Sequence, residues 1–322
     1  MRHAFLRSLS TAVLACAALA AHGQAAYPTR PVSLVVGYAP GGGTDLIARA
    51  VAQKLGDVLG QPVIVENRAG AQAIIAAQHV AKSNPDGYTL MLGPTGPVAM
   101  NPALHSKLPY TPLKDFAPIS MVGTFPLVLA VGQNHPAQNV QQLVDYARAN
   151  PSKANYGASA TPFQLATELF KQKTGTAFQY IAYKGTNESI HATSTGEVTM
   201  TIADPAVVIG PHKAGRVRPL AVTSGERHPG WPGVPTLREL GFSELEMNLW
   251  VGLLAPAGTP PAILRRLNEA VAAVVKDPGT REKLANLGID AVSSTPEEFR
   301  DVIARDTAKW TAVARAANIK AD

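Results

Sequence analysis

The chain of 322 residues has a single cysteine, Cys16, and it lies inside an apolar N-terminal run. Beyond that run no disulfide, no thiolate nucleophile and no cysteine-based metal site can form, so the folded part must be held by burial alone. Aromatic residues make up only 6% and most stand singly, which excludes the stacking platforms that bind single-stranded nucleic acid. The net charge of +6 is a mild excess, with Lys and Arg scattered among acids, and a duplex-binding stripe needs clustering. His79, His105, His135, His191, His212 and His228 are dispersed, without H-E-x-x-H or another ligand spacing, so no metal or other cofactor is expected. No fixed-period repeat and no low-complexity tract is present, which excludes a solenoid.

Residues 1–26 have the order of an export signal. Arg2 and Arg7 supply charge, residues 9–21 an apolar run, and Gly23-Gln24-Ala25-Ala26 small residues for cleavage near Ala25/Ala26. The run is too short for a spanning helix, which needs about 20 apolar residues. Structure is expected to begin near Tyr27, in the periplasm. Val13-Leu14-Ala15-Cys16 leaves a second option open, a lipidated N-terminus at Cys16. Loss of Arg2 and Arg7 takes the charge from +6 to +4, a weak positive field that suits an anionic small ligand.

From Tyr27 onward, short β-branched runs alternate with amphipathic stretches, which predicts an α/β fold with mostly parallel strands. Strands are expected at 32–37, 62–66, 88–93, 127–131, 155–158, 178–183, 198–203, 217–223 and 249–254. Helices are expected at 44–59, 71–82, 139–149, 163–173, 187–194 and 206–214, with three more at 260–276, 279–287 and 296–317. Thr124-Phe125-Pro126 and residues 227–235 are Pro/Gly-rich and read as passages between lobes. The expected division is lobe 1 at 27–124 with 240–322, lobe 2 at 125–239, and a ligand cleft crossed by two linkers.

The most informative string is Tyr38-Ala39-Pro40-Gly41-Gly42-Gly43-Thr44-Asp45, between a predicted strand and a predicted helix. Its glycines permit a tight turn with outward N–H groups, and the helix adds its positive end, so uncharged backbone can hold an anion. Asp45 would repel an anion and is assigned to capping. A dinucleotide fingerprint fails because Leu46 stands where the third glycine belongs, and a P-loop fails for want of Gly-Lys-Ser/Thr. A second strand-to-helix junction carries Ser159 and Thr161, as a cap or as hydroxyls for a ligand; Thr161 replaces the glycine that a nucleophile elbow needs. Asp204, at a strand end, either caps the next helix or reaches the cleft.

Many strings in order are similar to the tripartite tricarboxylate transporter substrate-binding family, the Bug-type periplasmic receptors. They include Tyr27-Pro28-Thr29-Arg30-Pro31-Val32, Pro40-Gly41-Gly42, Val65-Glu66-Asn67-Arg68, Pro85-Asp86-Gly87-Tyr88-Thr89-Leu90, Ala182-Tyr183-Lys184-Gly185 and Ala255-Pro256-Ala257-Gly258-Thr259-Pro260. The resemblance implies a two-lobed periplasmic binding protein fold, type II-like, that closes over a small organic carboxylate. It implies integral membrane transporter subunits as partners, a receptor expected as a monomer, and no catalysis. Candidate ligand contacts are Tyr38, Pro40, Gly41, Gly42, Gly43, Thr95, Ser159, Thr161 and Asp204. Two loops depart from the family pattern: Pro94-Thr95-Gly96-Pro97-Val98 and Ala158-Ser159-Ala160-Thr161-Pro162-Phe163-Gln164 lack polar side chains found in relatives. The departures point away from tricarboxylates, toward a monocarboxylate or dicarboxylate with an apolar or aromatic body. Two other readings stay open, a sensor feeding a membrane receptor and a secreted serine hydrolase using Ser159.

Overall fold

The computed structural model describes residues 27–316. The expected leader, its cleavage site and Cys16 lie outside the described residues. In chain order come β1 (Val32–Val36), α1 (Gly43–Leu59), β2 (Val63–Asn67), α2 (Ile74–Ala81) and β3 (Thr89–Pro94). A π-helical turn (Gly96–Met100), α3 (Asn101–Leu104) and α4 (Pro112–Asp115) lead into the long β4 (Phe116–Pro126). Then follow β5 (Val128–Gly132), α5 (Val140–Ala149), β6 (Asn155–Ala158), α6 (Thr161–Thr174) and β7 (Gln179–Ala182). After α7 (Thr186–Thr195), β8 (Met200–Ala203), α8 (Pro205–Lys213) and β9 (Val217–Val222), the chain returns through β10 (Asn248–Pro256). It closes with α9 (Pro261–Lys276), α10 (Pro278–Asn286), the two-residue β11 (Asp290–Ala291) and α11 (Pro296–Ala316).

The strands form two sheets, ordered β11-β4-β10-β3-β1-β2 and β7-β6-β8-β5-β9. The expectation of mostly parallel strands is corrected: four pairings are parallel and five antiparallel. The reason is the passage between lobes. β4 leaves the first sheet at Pro126 and β5 enters the second at Val128, while β10 returns paired against β4, Asn248 opposite Pro126. A chain that goes out and comes back along neighbouring paths must pair antiparallel there. β4, which the periodicity does not reveal, contains Pro118 and Gly123, residues that normally argue against a strand. They are tolerated because its outer neighbour is only β11.

Local physics explains the elements that hold the cleft. α1 buries Ile47, Ala48, Val51, Ala52, Leu55 and Leu59 at helical spacing and ends at Gly60, whose φ of 77° is the left-handed turn that closes the helix. The helix expected at 71–82 starts late, because Ala71, Gln72 and Ala73 all have positive φ, 46°, 52° and 68°. Such backbone costs roughly 1–3 kcal/mol per residue. It fits only because Gly37 faces it, where a Cβ would stand 2.3 Å from Ala73 Cβ. The stretch expected as a linker at 227–235 instead folds onto the second sheet, with Trp231 and Val234 in a core with Val128, Val207 and Val222. α11 packs beneath the first sheet, where Phe299 lies edge-on to Trp250 at 5.1 Å and fills the space left by Gly252.

Candidate functional site

A cavity of about 140 Å³ lies between the two sheets, lined from both sides. Its walls are mostly apolar: Ile47, Pro94 and Leu249 from one side, Phe163 and Pro162 from the other, with Phe125 at the crossing. Four helices begin at it. Their N-cap residues are Gly42 for α1, Ala160 for α6, Gly185 for α7 and Asp204 for α8, and no side-chain capping bond is made at any of them. An uncapped helix start exposes unpaired N–H groups and carries about half a positive charge. Converging starts therefore make an electropositive end from backbone alone, in a cavity lined by no Lys, Arg or His among the described residues.

The glycine loop is built to face it. Gly41 takes φ +76°, and its N–H donates to Asp45 Oδ2 at 2.8 Å. Arg49 Nε donates to the same oxygen at 2.9 Å and Asn67 Nδ2 to Asp45 Oδ1 at 2.9 Å. Burial alone would raise the Asp45 carboxyl, but the bonds from Arg49, Gly41 and Asn67 outweigh it and hold the group below its ordinary value. Asp45 is thus turned from the cavity and pins the loop from behind. We expect Asp45→Ala, which strands the Gly41 N–H and leaves the Asn67 amide only the Tyr38 carbonyl as acceptor, to lower unfolding free energy by about 1–3 kcal/mol. A carboxyl whose folded value is depressed stabilises above its unfolded value and loses that contribution as pH falls through the folded one. The gap between wild type and variant in urea titrations should accordingly close in acid, below the ordinary carboxyl value of 3.8; a gap that persists there would refute the assignment.

Of the nine sequence candidates, Tyr38, Pro40, Gly42, Gly43, Thr95 and Asp204 line the cavity. Gly41 stands just behind the lining, its carbonyl accepting from Asn187 Nδ2 at 2.9 Å across the cleft. The Thr95 hydroxyl is committed to strand pairing: Oγ1 donates to the Trp250 carbonyl at 3.0 Å and accepts from its N–H at 2.8 Å. Ser159 Oγ pairs with Thr186 Oγ1 at 3.0 Å, behind Ala160. Thr161 Oγ1 meets the Gln72 side-chain amide and donates to Asn101 Oδ1 at 2.6 Å, a tie between lobes. It is the left-handed backbone at Gln72 that brings this amide across.

Asp204 is the N-cap residue of α8, and its carboxyl lies beside the Val207 N–H of the first turn without completing a capping hydrogen bond. Its carboxyl reaches across to Gly43, where an added Cβ would lie 2.0 Å from Oδ1. Burial, only partly offset by N–H groups of Asp204 and Val207, raises its value to about 7. The same burial, then Tyr110 and Asp204, pushes the Tyr38 hydroxyl above its usual range, so it stays protonated. The sequence reading missed Gly185 to Glu188 at the cavity. The signal was present in Tyr183-Lys184-Gly185, a glycine directly before a helix start, as at Gly42.

A two-lobed α/β receptor with a ligand cleft between its sheets is the class these features define. Solved periplasmic proteins, the periplasmic binding protein BugD among them, share the architecture across nearly their whole length. The model of the tripartite tricarboxylate transporter family receptor matches residues 47–319, and the chain belongs to that family. Protein BugT of Bordetella pertussis is 37% identical over 297 residues, 91% of each chain. An R. palustris protein solved with adipate is 35% identical with a TM-score of 0.88, covering 91% of this chain and 99% of its own. MatC from Rhodopseudomonas palustris, with bound malate, is 29% identical with a TM-score of 0.85, covering 89% and 99%.

Proposed function

We propose that this chain is a periplasmic receptor that captures a small organic carboxylate and presents it, unreacted, to the integral membrane subunits of a tripartite tricarboxylate-type transporter. The observation that carries the reading is the convergence of four uncapped helix starts on one cavity between the sheets that, among the described residues, is lined by no basic side chain. Backbone N–H groups at helix starts hold an anion without paying for a buried cation. Relatives solved with adipate and with malate, both carboxylates, support the ligand class. The apolar walls and a volume of about 140 Å³ favour a compact body over a tricarboxylate; about 150 Å³ is enough for a benzene ring. The proposed lobes are 27–124 with 240–322, and 125–239, closing as a hinge on the ligand. Ser159 is bonded to Thr186 and not to a base, which weighs against nucleophilic chemistry there.

The test is thermal unfolding of protein stripped of ligand by unfolding and refolding, against a panel of carboxylates. A narrow subset should stabilise it, by about 2.7 kcal/mol at a hundredfold excess over Kd. Indifference to every organic anion in the panel would sink the reading.

A further inference from the structure

The electropositive end explains one carboxylate, but one group at the cavity is left over. Asp204 is 6% exposed, lines the cavity, and its Oδ1 is buried with no hydrogen-bond partner. A buried carboxyl oxygen without a donor costs free energy, and such groups persist in proteins where something supplies the donor. No charged or titratable group that faces it donates to Oδ1. Glu188, on the rim, is a second acid; Tyr38 is its phenol neighbour; Asp45 is spent on Arg49, Asn67 and the Gly41 N–H. Gly43 lies against it, and among the described residues no Lys, Arg or His lines the cavity.

We infer that Asp204 is a specificity-determining residue, whose carboxyl accepts a hydrogen bond from an N–H or O–H group carried by the ligand close to its carboxylate. This rests on the receptor reading above and narrows it. The preferred ligand pairs a carboxylate, held at the helix starts, with an amino, amide or hydroxyl donor on the same side. Asp204 lies at the α8 start and against the first residue of α1, so the donor must sit near the carboxylate and not at the far end of the body. A plain carboxylate placed there meets a second carboxyl with no donor between them and is disfavoured.

The raised Asp204 carboxyl, at about 7, gives this a pH signature. A donor pairs best with the ionised form, so affinity for a donor-bearing ligand should fall as pH drops through about 7. A plain carboxylate binds better beside the protonated form, so its affinity should rise over the same interval.

The experiment is calorimetric titration of the stripped, mature protein with carboxylates in matched pairs, such as butanoate with 2-aminobutanoate and 2-hydroxybutanoate, and benzoate with 2-aminobenzoate. In the pairs that bind, the donor-bearing member should be tighter by about tenfold or more at pH 8. Asp204→Ala should shrink that gap to under about threefold and leave the plain member bound at least as tightly. Asp204→Asn, which keeps the shape and an acceptor, guards against a folding artefact and should retain part of the gap for hydroxyl ligands. Equal affinities within pairs, or a gap that survives Asp204→Ala, would overturn the assignment to Asp204 while leaving the receptor reading intact. Binding by no carboxylate of any pair would remove the receptor reading and this inference together.

Discussion

Replacing Gly43 by alanine should weaken ligand binding by about tenfold to about a hundredfold without unfolding the protein. The added methyl would stand 2.0 Å from Asp204 Oδ1 and 2.5 Å from its Cγ. Asp204 is short and buried, so relief must come from parting the lobes, and overpacking of this kind costs about 1–3 kcal/mol. Gly43 itself is the first residue of α1, where alanine is an equal or better helix former, so the isolated lobe loses nothing. The cost therefore falls on the closed form, and apparent affinity drops with its population. Calorimetry should show the loss, and scattering should show a radius that no longer contracts on adding ligand. Adding Asp204→Ala to Gly43→Ala should restore most of the affinity for a carboxylate that lacks a donor. Unchanged affinity in Gly43→Ala would mean that the lobes do not close on this contact.

Thr223→Val should lower unfolding free energy by about 2–5 kcal/mol, although it changes neither shape nor volume much. The Thr223 hydroxyl is the clasp between the two chain crossings. Oγ1 accepts from Leu127 N–H at 2.7 Å and donates to the Met247 carbonyl at 2.6 Å. Its backbone is tied to the same residues, with Thr223 N–H to Leu127 O at 2.9 Å and Met247 N–H to Thr223 O at 2.7 Å. Thr223 is 2% exposed, so valine leaves the Leu127 N–H and the Met247 carbonyl buried without their side-chain partner. Urea unfolding should show a lower midpoint at an unchanged slope. A midpoint within error of wild type would show that water replaces the hydroxyl at the crossing.

The positions of these two residues mark the limit of what the chain discloses by itself. Gly43 was legible as part of a strand–glycine–helix junction, because the turn, the helix start and the period of α1 are all local. The reason for a glycine at 43 was not, because Asp204 is far away in the chain. Thr223 reads as the last residue of a strand, and nothing near it in sequence says that its hydroxyl joins Leu127 to Met247. β4 was hidden for a related reason. Pro118 and Gly123 break the local strand signal, and only its place beside the short β11 makes them acceptable. Gln72 was read as helical, since three left-handed residues in a row have no compositional mark without glycine.

By itself the sequence determined the alternation of strands and helices, the family strings and the glycine loop that presents backbone N–H groups to an anion. These depend on short-range sterics and periodicity, which a few neighbouring residues settle. Only the tertiary structure decided that four helix starts meet at one cavity, that Ser159 and Thr161 are spent behind it on Thr186, Asn101 and Gln72, and that the Asp204 carboxyl lies against Gly43. Those outcomes depend on which distant groups burial forces together. A hydroxyl or carboxyl keeps the same local neighbours whether it faces a ligand, a strand or the opposite lobe.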